Sequence, residues 1–356
     1  MELRQDEVTT RAVPATGWSA IGGLVLALVV ASVTAWEVQM RRLGLRAGDL
    51  DDGASHWTVE RRKIAAGKHD GVVIHGSSRI LFDTDLDVWE ELTGRRPIQL
   101  ALPGTNPRFL LRGFAQDADF SGLVIVGVTP AVFFTDFTTA FPEYLELNTL
   151  WLEESPSRRF GHQVGLLLSR RLAFLDDQYR LGTLVDQLDI PDRPGVRRPH
   201  MRVWKLSESF DDRQYFLWPR LQTDARLREH AKAVWRLNFG RPVDASRFPA
   251  IIDSVREDVE KIRSRGGDVV FVRAPSDGDL YERELSVVPR AATWDPLLER
   301  TGSFGIHFED HADMRGLDVV EMSHLSRESA TRFTRAYVAV LVQRYPWLDR
   351  RAAAGS

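Results

Sequence analysis

The hydrophobic pattern separates one long apolar run near the N-terminus from a longer region in which short apolar segments alternate with amphipathic ones. Residues 12–36 carry no charged side chain, and Trp18 and Trp36 stand near the two ends of this run. About 20 apolar residues in a helix cross the hydrocarbon core of a bilayer, and indole rings favour its headgroup regions. The pattern predicts a transmembrane anchor over residues 12–36, preceded by an N-terminal tail, residues 1–11.

A cleavable signal peptide is the alternative for the same segment, with residues 33–35 as its cleavage site. The tail contains Glu2, Asp6 and Glu7, which are atypical of the basic start of a signal peptide, so the sequence favours a retained anchor. Arginines are slightly more frequent after the run than before it, which taken alone favours a cytoplasmic C-terminal side.

Beyond residue 70 the pattern is typical of an α/β fold. Short apolar runs without polar alternation predict buried parallel strands, and the amphipathic segments between them predict helices on both faces of the sheet. The predicted strands are 72–74, 98–102, 123–128, 269–272 and 304–308. The predicted helices are 80–92, one that begins at Pro107 after the capping residue Asn106, 251–262, and a last one from Ser326. The predicted fold is a three-layer α/β/α sandwich over residues 71–345, followed by a C-terminal tail, residues 346–356.

Two parts of the chain fall outside this alternation. Residues 37–70 are polar and predict a stalk or a helical lead-in, and residues 131–249 predict a mostly helical insert with helices over 159–174 and 223–237. The insert is rich in aromatic residues and arginine, which either fill a hydrophobic interior or form a platform for stacking on carbohydrate. These residues are Trp151, Trp204, Tyr215, Phe216, Trp218, Arg220 and Trp235.

Composition excludes several classes of function. The net charge of −3 gives no basic field for nucleic acid, and the absence of cysteine excludes disulfides, thiolate metal sites and cysteine nucleophiles.

Polar residues follow the predicted strands where ligands of parallel sheets bind, at the carboxyl ends. Ser77 and Ser78 follow the first strand, Gly104 the second and Thr129 the third. Each also has a purely structural explanation, since serine caps helices, glycine serves tight turns and threonine ends strands. His75, on the first strand itself, is better explained as a hydrogen-bonded core imidazole than as a second base.

A carboxylate and an imidazole come together just before the last helix. Glu321 precedes His324 by three residues, and a neutral histidine held by a carboxylate is the general base that a nucleophilic serine needs. A metal site is a weaker alternative elsewhere in the chain, because His307 and His311 flank Glu309 and Asp310 without a further ligand pair nearby.

Taken together, these motifs resemble the SGNH (GDSL-like) hydrolase superfamily. They are Gly76-Ser77-Ser78-Arg79 after the first strand, Gly104 after the second, and Glu321-x-x-His324 before the closing helix. The resemblance covers residues 70–130 and 250–345. The opening Gly-Ser-Ser-Arg and the closing Ser-His-Leu-Ser-x-x-x-Ala are similar to membrane-anchored members that modify envelope polysaccharides, including relatives of alginate O-acetylation and teichoic-acid alanylation proteins.

The resemblance implies a role for each motif residue. Ser78 would be the nucleophile, with Ser77 in the place of the family's Asp, and the Ser78 and Gly104 amides would form the oxyanion hole. His324 would be the base, oriented by Glu321 where the family has Asp, or by Asp318 instead. The family's third oxyanion donor, an Asn, is absent. The positional candidates for that donor are Thr129 and Arg273, and Arg79 and Arg273 are candidate substrate contacts.

The resulting expectation is a membrane-anchored serine esterase or O-acyltransferase without a cofactor, acting on acyl esters of an extracytoplasmic glycan. The resemblance implies that the large domain lies outside the cell membrane, although the distribution of arginines around the apolar run weakly favours the cytoplasmic side. The substrate class is an acylated carbohydrate or another small ester, and other membrane proteins of polysaccharide modification are expected partners. The alternative is a non-catalytic member that binds glycan or assists assembly of such a complex.

Overall fold

The computed structural model describes residues 17–67, 70–139, 142–186, 205–237, 239–240 and 242–349. The predicted N-terminal tail, the first residues of the predicted anchor, Trp204 and most of the predicted C-terminal tail lie outside these described residues.

The centre of the molecule is a parallel five-stranded sheet, as the apolar runs predict. The strand order is β2-β1-β3-β6-β7, and a separate antiparallel hairpin, β4-β5, belongs to the insert. The strands are β1 (Val72–His75), β2 (Ile98–Gln99), β3 (Leu123–Gly127), β4 (Ser207–Ser209), β5 (Tyr215–Leu217), β6 (Asp268–Arg273) and β7 (Phe304–His307). The chain leaves β1 towards one edge and returns to its other side at β3, so the topological switch point lies between β1 and β3. In such sheets the crevice at this point is where ligands bind.

Helices pack on both faces of this sheet. The helices of the described residues are α1 (Trp18–Arg42), α2 (Ala54–Ala65), α3 (Ser78–Phe82), α4 (Leu86–Thr93), α5 (Pro107–Gln116), α6 (Pro130–Phe133), α7 (Leu147–Glu153), α8 (Pro156–Ser169), α9 (Leu181–Asp186), α10 (Pro219–Thr223), α11 (Ala225–Arg236), α12 (Phe248–Arg263), α13 (Gly278–Val287), α14 (Trp294–Thr301) and α15 (Arg327–Arg344).

Alternate residues of the strands enter two separate hydrophobic cores. Val72 and Ile74 of β1 pack with α3, α4 and α15 on one face, whereas Val73 packs with α2, α5, α12 and α14 on the other. Both faces of the strands are therefore apolar, which explains why their sequences show no polar alternation.

The segment predicted as one helix over 80–92 is two helices, α3 and α4. The break falls at Asp85, whose carboxylate accepts hydrogen bonds from Asp87 N (3.1 Å) and Val88 N (3.3 Å) and so caps α4. Apolar periodicity continues across this cap, which is why the pattern alone joins the two helices. The capping residue Asn106 and the start of the last helix after Ser326 are confirmed.

Residues 37–67 form the helical lead-in of the two predicted alternatives, packed into the domain, and not a separate stalk. Helix α1 continues to Arg42, and α2 buries Trp57 and Ile64 in the core beneath the sheet. Buried ion pairs attach the linking segment to the insert: Lys205 binds Asp49 at 2.6 Å, and Arg213 binds Asp52. Apolar contacts between distant segments decide this packing, so the polar local composition does not reveal it.

Helix α1 is long and apolar enough to span a membrane. It has 25 residues and a mean hydropathy of 2.0 over its most apolar window, in which no residue is buried inside the protein. This extends the segment predicted over residues 12–36 by six residues at its C-terminal end.

The insert is mostly helical among its described residues, and the two predicted helices correspond to α8 and α11. The β4-β5 hairpin was not predicted. Several of the insert's aromatic residues are interior filling, since Tyr215, Phe216 and Trp218 are buried.

Candidate active site

The loop after β1 places Ser78 at the carboxyl end of the sheet, beside the switch point. Two glycines let α3 lie directly against the ends of β1 and β3. A Cβ added at Gly76 would lie 2.3 Å from Ile80 Cγ2, and one added at Gly127 would lie 2.3 Å from Ile80 Cβ. Helix α3 therefore begins at Ser78 close to both strands, with the Ser78 side chain half-buried and Ser77 buried.

Glu321 and His324 form a buried pair in the loop before α15. His324 Nδ1–H donates to Glu321 Oε1 at 2.6 Å, and both side chains are inaccessible to solvent. The loop is closed by a hydrogen bond from Val320 N to His324 O (3.0 Å) and turns at Met322, whose φ is 76°. With the proton on Nδ1, Nε2 presents its lone pair, and Nε2 is buried with no hydrogen-bond partner among the described residues. An imidazole in this state can accept a proton from a serine hydroxyl.

Asp318, the alternative carboxylate, does not hold His324 in the structure. Its backbone pairs across the loop, accepting from Ser326 N (2.9 Å) and donating to Ser329 Oγ (2.9 Å). The methylene that distinguishes Glu321 from the expected Asp therefore does not prevent contact with the imidazole.

A residue of the insert, Trp235 of α11, completes this pair and was not predicted in that role. Its Nε1–H donates to Glu321 Oε2, and its ring centroid lies 5.9 Å from that of His324. Both carboxylate oxygens of Glu321 thus accept a hydrogen bond, and α11 covers the imidazole. Trp235 lies 86 residues before Glu321 in the chain, so no local spacing points to this contact.

The structure brings the serine segment and the histidine segment together. The His324 ring centroid lies 4.4 Å from that of Phe82, at the end of α3. Ser78 and Phe82 are four residues apart on this short helix, and such residues share a helix face. Ser78 Oγ and His324 Nε2 are nonetheless not hydrogen-bonded to each other in the structure. Hydrogen bonds between catalytic groups are often looser before substrate binds.

Two further contacts fix the histidine loop to α3. Arg79 Nε donates to Ser323 Oγ at 3.2 Å, and Leu325 N donates to Asp83 Oδ1 at 2.9 Å. Asp83 is fully buried, and this burial raises the pKa of its carboxyl well above the usual range. Asp83 was not predicted as a site residue, because an aspartate between two helices has the same local signature as a cap.

Arg79 and Arg273, the candidate substrate contacts, are instead buried partners of one carboxylate. Glu284 of α13 receives the Arg79 guanidinium at 2.7 Å and the Arg273 guanidinium at 2.6 Å. Burial opposes the charge of Glu284, but the two guanidiniums outweigh it and lower its pKa. Arg273 also binds Ser276 Oγ at 2.8 Å, so both arginines hold loops together and neither presents a free guanidinium to a substrate.

The two oxyanion candidates beyond Ser78 lie at the same edge of the sheet. Leu102 N donates to Gly76 O at 3.0 Å, which brings the loop of Gly104 beside the Ser78 loop, and Gly104 has a left-handed φ of 59° that suits glycine. Thr129 precedes α6 at the end of β3, is buried, and makes no capping hydrogen bond with its hydroxyl.

The remaining histidines of interest are structural or separate from this site. His75 Nε2–H donates to the Pro107 carbonyl, and burial lowers the pKa of His75 to about 4, which confirms the predicted core imidazole. His307 lies at the end of β7, where burial lowers its pKa to about 3. Among the described residues, no cluster of three or more histidine and carboxylate side chains is arranged to hold a metal ion.

A small cavity at the ends of β3, β6 and β7 does not form part of the serine–histidine site. Its volume is about 30 Å³, and its lining includes Arg273, Tyr281, Glu284 and His307 but neither Ser78 nor His324. Such a volume admits water and not a sugar or an acyl group.

Comparison of the sequence with protein-family models and with curated proteins finds no match. The functional argument for this chain therefore depends on the geometry of its own residues.

Proposed function

We propose that the protein is a membrane-anchored serine esterase or O-acyltransferase of the SGNH type that acts on acyl esters of an extracytoplasmic glycan. The observation that supports this proposal is the buried Glu321–His324 pair. Its imidazole ring packs against Phe82 at the end of α3, the helix that begins at Ser78, and its Nε2 has no hydrogen-bond partner among the described residues. The parallel order of the sheet and the apolar helix α1 agree with it.

In the proposed mechanism His324 acts as general base and then as general acid. Nε2 takes the Ser78 hydroxyl proton while Oγ bonds to the ester carbonyl carbon, and the backbone amides of Ser78 and Gly104 receive the developing oxyanion. Collapse breaks the bond to the leaving alkoxide, which receives the proton from His324. Water or a sugar hydroxyl then attacks the acyl-enzyme with His324 again as base, so hydrolysis and transfer share every step but the last.

Substrate access in this proposal requires movement of α11. His324 has no exposed surface, and Trp235 covers it while bound to Glu321. Because α11 belongs to the insert and not to the sheet, it is the element whose displacement would open the site without disturbing the strands.

The test is hydrolysis of an aryl acetate by the full chain in detergent micelles. Ser78→Ala is expected to lower turnover by about 10⁴–10⁶-fold, since the nucleophile is lost. Ser77→Ala, which removes the neighbouring hydroxyl, serves as the matched control and is expected to keep most of the turnover. Equal turnover in Ser78→Ala and the unmodified chain would exclude Ser78 as nucleophile.

A second candidate is a non-catalytic glycan-binding or assembly partner of a membrane complex. The observation that favours it is the missing hydrogen bond between Ser78 and His324, together with complete burial of the imidazole. A fluorophosphonate probe separates the candidates, because it forms an adduct only with an activated serine. Retention of an acylated polysaccharide without any adduct at Ser78 would establish the second candidate.

A further inference from the structure

Helix α8 of the insert presents an apolar face that packs against nothing in the described chain. No residue of this helix is buried. Four large apolar side chains are exposed along it: Phe160 (68%), Val164 (39%), Leu167 (50%) and Leu168 (48%).

These four side chains lie opposite the face by which α8 contacts the domain. The least exposed positions of α8 are His162, Leu166 and Ser169. The His162 ring lies 5.6 Å from the His56 ring of α2. Gly48 N donates to Ser169 O at 2.8 Å on the same side. At 100° per residue the four apolar positions cluster about half a turn away from these contacts. The exposed apolar face is therefore separate from the packing face.

The C-terminal end of α8 is attached to the end of the apolar helix α1. Glu37 of α1 accepts hydrogen bonds from Ala173 N (3.1 Å) and Phe174 N (3.0 Å), a few residues after α8 ends. Arg41 donates to Arg171 O at 3.4 Å. Glu37 follows Trp36 directly, so this junction lies where the apolar run gives way to charged residues.

Two arginines at this junction lack acidic partners among the described residues, whereas the neighbouring Arg41 pairs with Glu37 at 2.6 Å. Arg42 of α1 and Arg171 after α8 are exposed, and neither forms an ion pair within the described residues. Arginines without acidic partners beside an apolar helix face are typical of amphipathic helices that bind the surface of an anionic membrane.

We propose that α8 is an interfacial helix, which lays its apolar face in the surface of the same bilayer that α1 crosses. Phe160, Val164, Leu167 and Leu168 enter the boundary between headgroups and acyl chains, while Arg42 and Arg171 bind anionic headgroups. This inference rests on the proposed membrane anchoring by α1. It gives the domain a second contact with the membrane and restricts its rotation about α1.

The absence of cysteine permits a direct test by single-cysteine labelling. The full chain with Leu167→Cys, labelled with the fluorophore NBD, is reconstituted into phosphatidylcholine vesicles with and without phosphatidylglycerol. We expect a blue-shifted emission and its loss when lipids carry a doxyl quencher near the headgroup. Arg159→Cys, about 125° from the centre of the apolar face on the same helix, is the matched control and should show neither effect. Val29→Cys, in the middle of α1, should be quenched by doxyl groups deep in the acyl chains.

A second pair of variants separates docking from folding. With the label at Val164→Cys, the double change Phe160→Gln and Leu168→Gln should abolish quenching with little change in melting temperature, because neither side chain is buried in the core. Arg42→Gln with Arg171→Gln should abolish the dependence on phosphatidylglycerol.

Each other result contradicts a defined part of the proposal. Quenching at Val29 without quenching at Leu167 would leave α1 as an anchor and exclude α8 from the bilayer. A blue shift at Leu167 without lipid quenching would assign the face to a protein, either a second copy of this chain or a partner, and overturn the proposal. No quenching at Val29 would remove the anchoring on which it rests.

Discussion

At the scale of single residues, the site depends on which imidazole nitrogen carries the proton. Glu321 accepts from Nδ1–H of His324 and so leaves the lone pair on Nε2, which has no hydrogen-bond partner among the described residues. The carboxylate is itself held by Trp235, which restricts its rotation. The His324 imidazole is therefore oriented by two side chains, Glu321 and Trp235, from distant parts of the sequence.

Replacing Glu321 by Gln is expected to lower esterase turnover by about 10³–10⁴-fold, since an amide no longer selects the Nδ1–H tautomer. The measurement is kcat for aryl acetate hydrolysis by the full chain. Asp318→Asn is the matched control, because its carboxylate makes no contact with His324, and it should retain turnover. If Asp318→Asn were the damaging change and Glu321→Gln the silent one, the carboxylate assignment would be reversed.

The sequence is sufficient to place Glu321 near His324, because three residues on a tight loop bring two side chains together. It is insufficient for Trp235, which binds Glu321 86 residues away, and for Glu284, which binds Arg79 205 residues away. It leaves Arg79 and Arg273 as candidate substrate contacts, because the sequence alone does not show that Glu284 is their buried partner. Spacing along the chain identifies side-chain partners that are close in sequence, whereas partners from distant segments are identified only from the fold.

At the scale of elements, the position of Ser78 follows from how closely α3 approaches the sheet. Ile80 of α3 occupies the space that side chains on Gly76 and Gly127 would take. Any side chain at either glycine pushes α3 away from the strand ends and moves Ser78 with it.

We expect Gly127→Ala to destabilise the protein by about 1–3 kcal/mol, the usual cost of overpacking a core. The added Cβ would lie 2.3 Å from Ile80 Cβ, a backbone-proximal atom that cannot rotate away. Turnover measured well below the melting temperature should also fall, because Ser78 shifts relative to His324. Gly165→Ala on α8 is the control, since no atom lies within 4 Å of the added Cβ, and it should be neutral or slightly stabilising. Normal stability and turnover in Gly127→Ala would show that the site does not depend on this contact.

The elements that the sequence predicts correctly are those with a strong local signal. The apolar runs of β1, β3 and β6 predict strands without knowledge of their distant partners, and Asn106 followed by Pro107 predicts the start of α5. Helix α2 was not predicted as a core element because its buried apolar residues, Trp57 and Ile64, are widely spaced among polar and charged ones. The β4-β5 hairpin was missed because its strands have three residues each.

At the scale of the whole molecule, stability depends on pH through a few fully buried titratable groups. His75 has a pKa lowered by burial to about 4, so its neutral form is required by the fold. The unfolded chain binds a proton near pH 6.5, and stability is therefore lost as the pH falls from about 6.5 towards 4. Asp83 has the opposite effect, because its pKa is raised in the folded protein.

The consequence for Asp83 can be measured with Asp83→Asn. The folded protein holds the Asp83 proton above the pH at which the unfolded chain releases it, near 4, so stability declines as the pH rises from there through the raised pKa. An asparagine keeps an oxygen acceptor for Leu325 N and has no proton to lose. The free energy of unfolding of Asp83→Asn should therefore exceed that of the unmodified chain by an amount that grows with pH, at most by about 1.4 kcal/mol per pH unit. Denaturant unfolding over a pH series provides the measurement, with Asp119→Asn on the surface as a control whose difference stays constant. Parallel stability curves for Asp83→Asn and the unmodified chain would mean that Asp83 is charged within the fold and accepts from Leu325 N as a carboxylate.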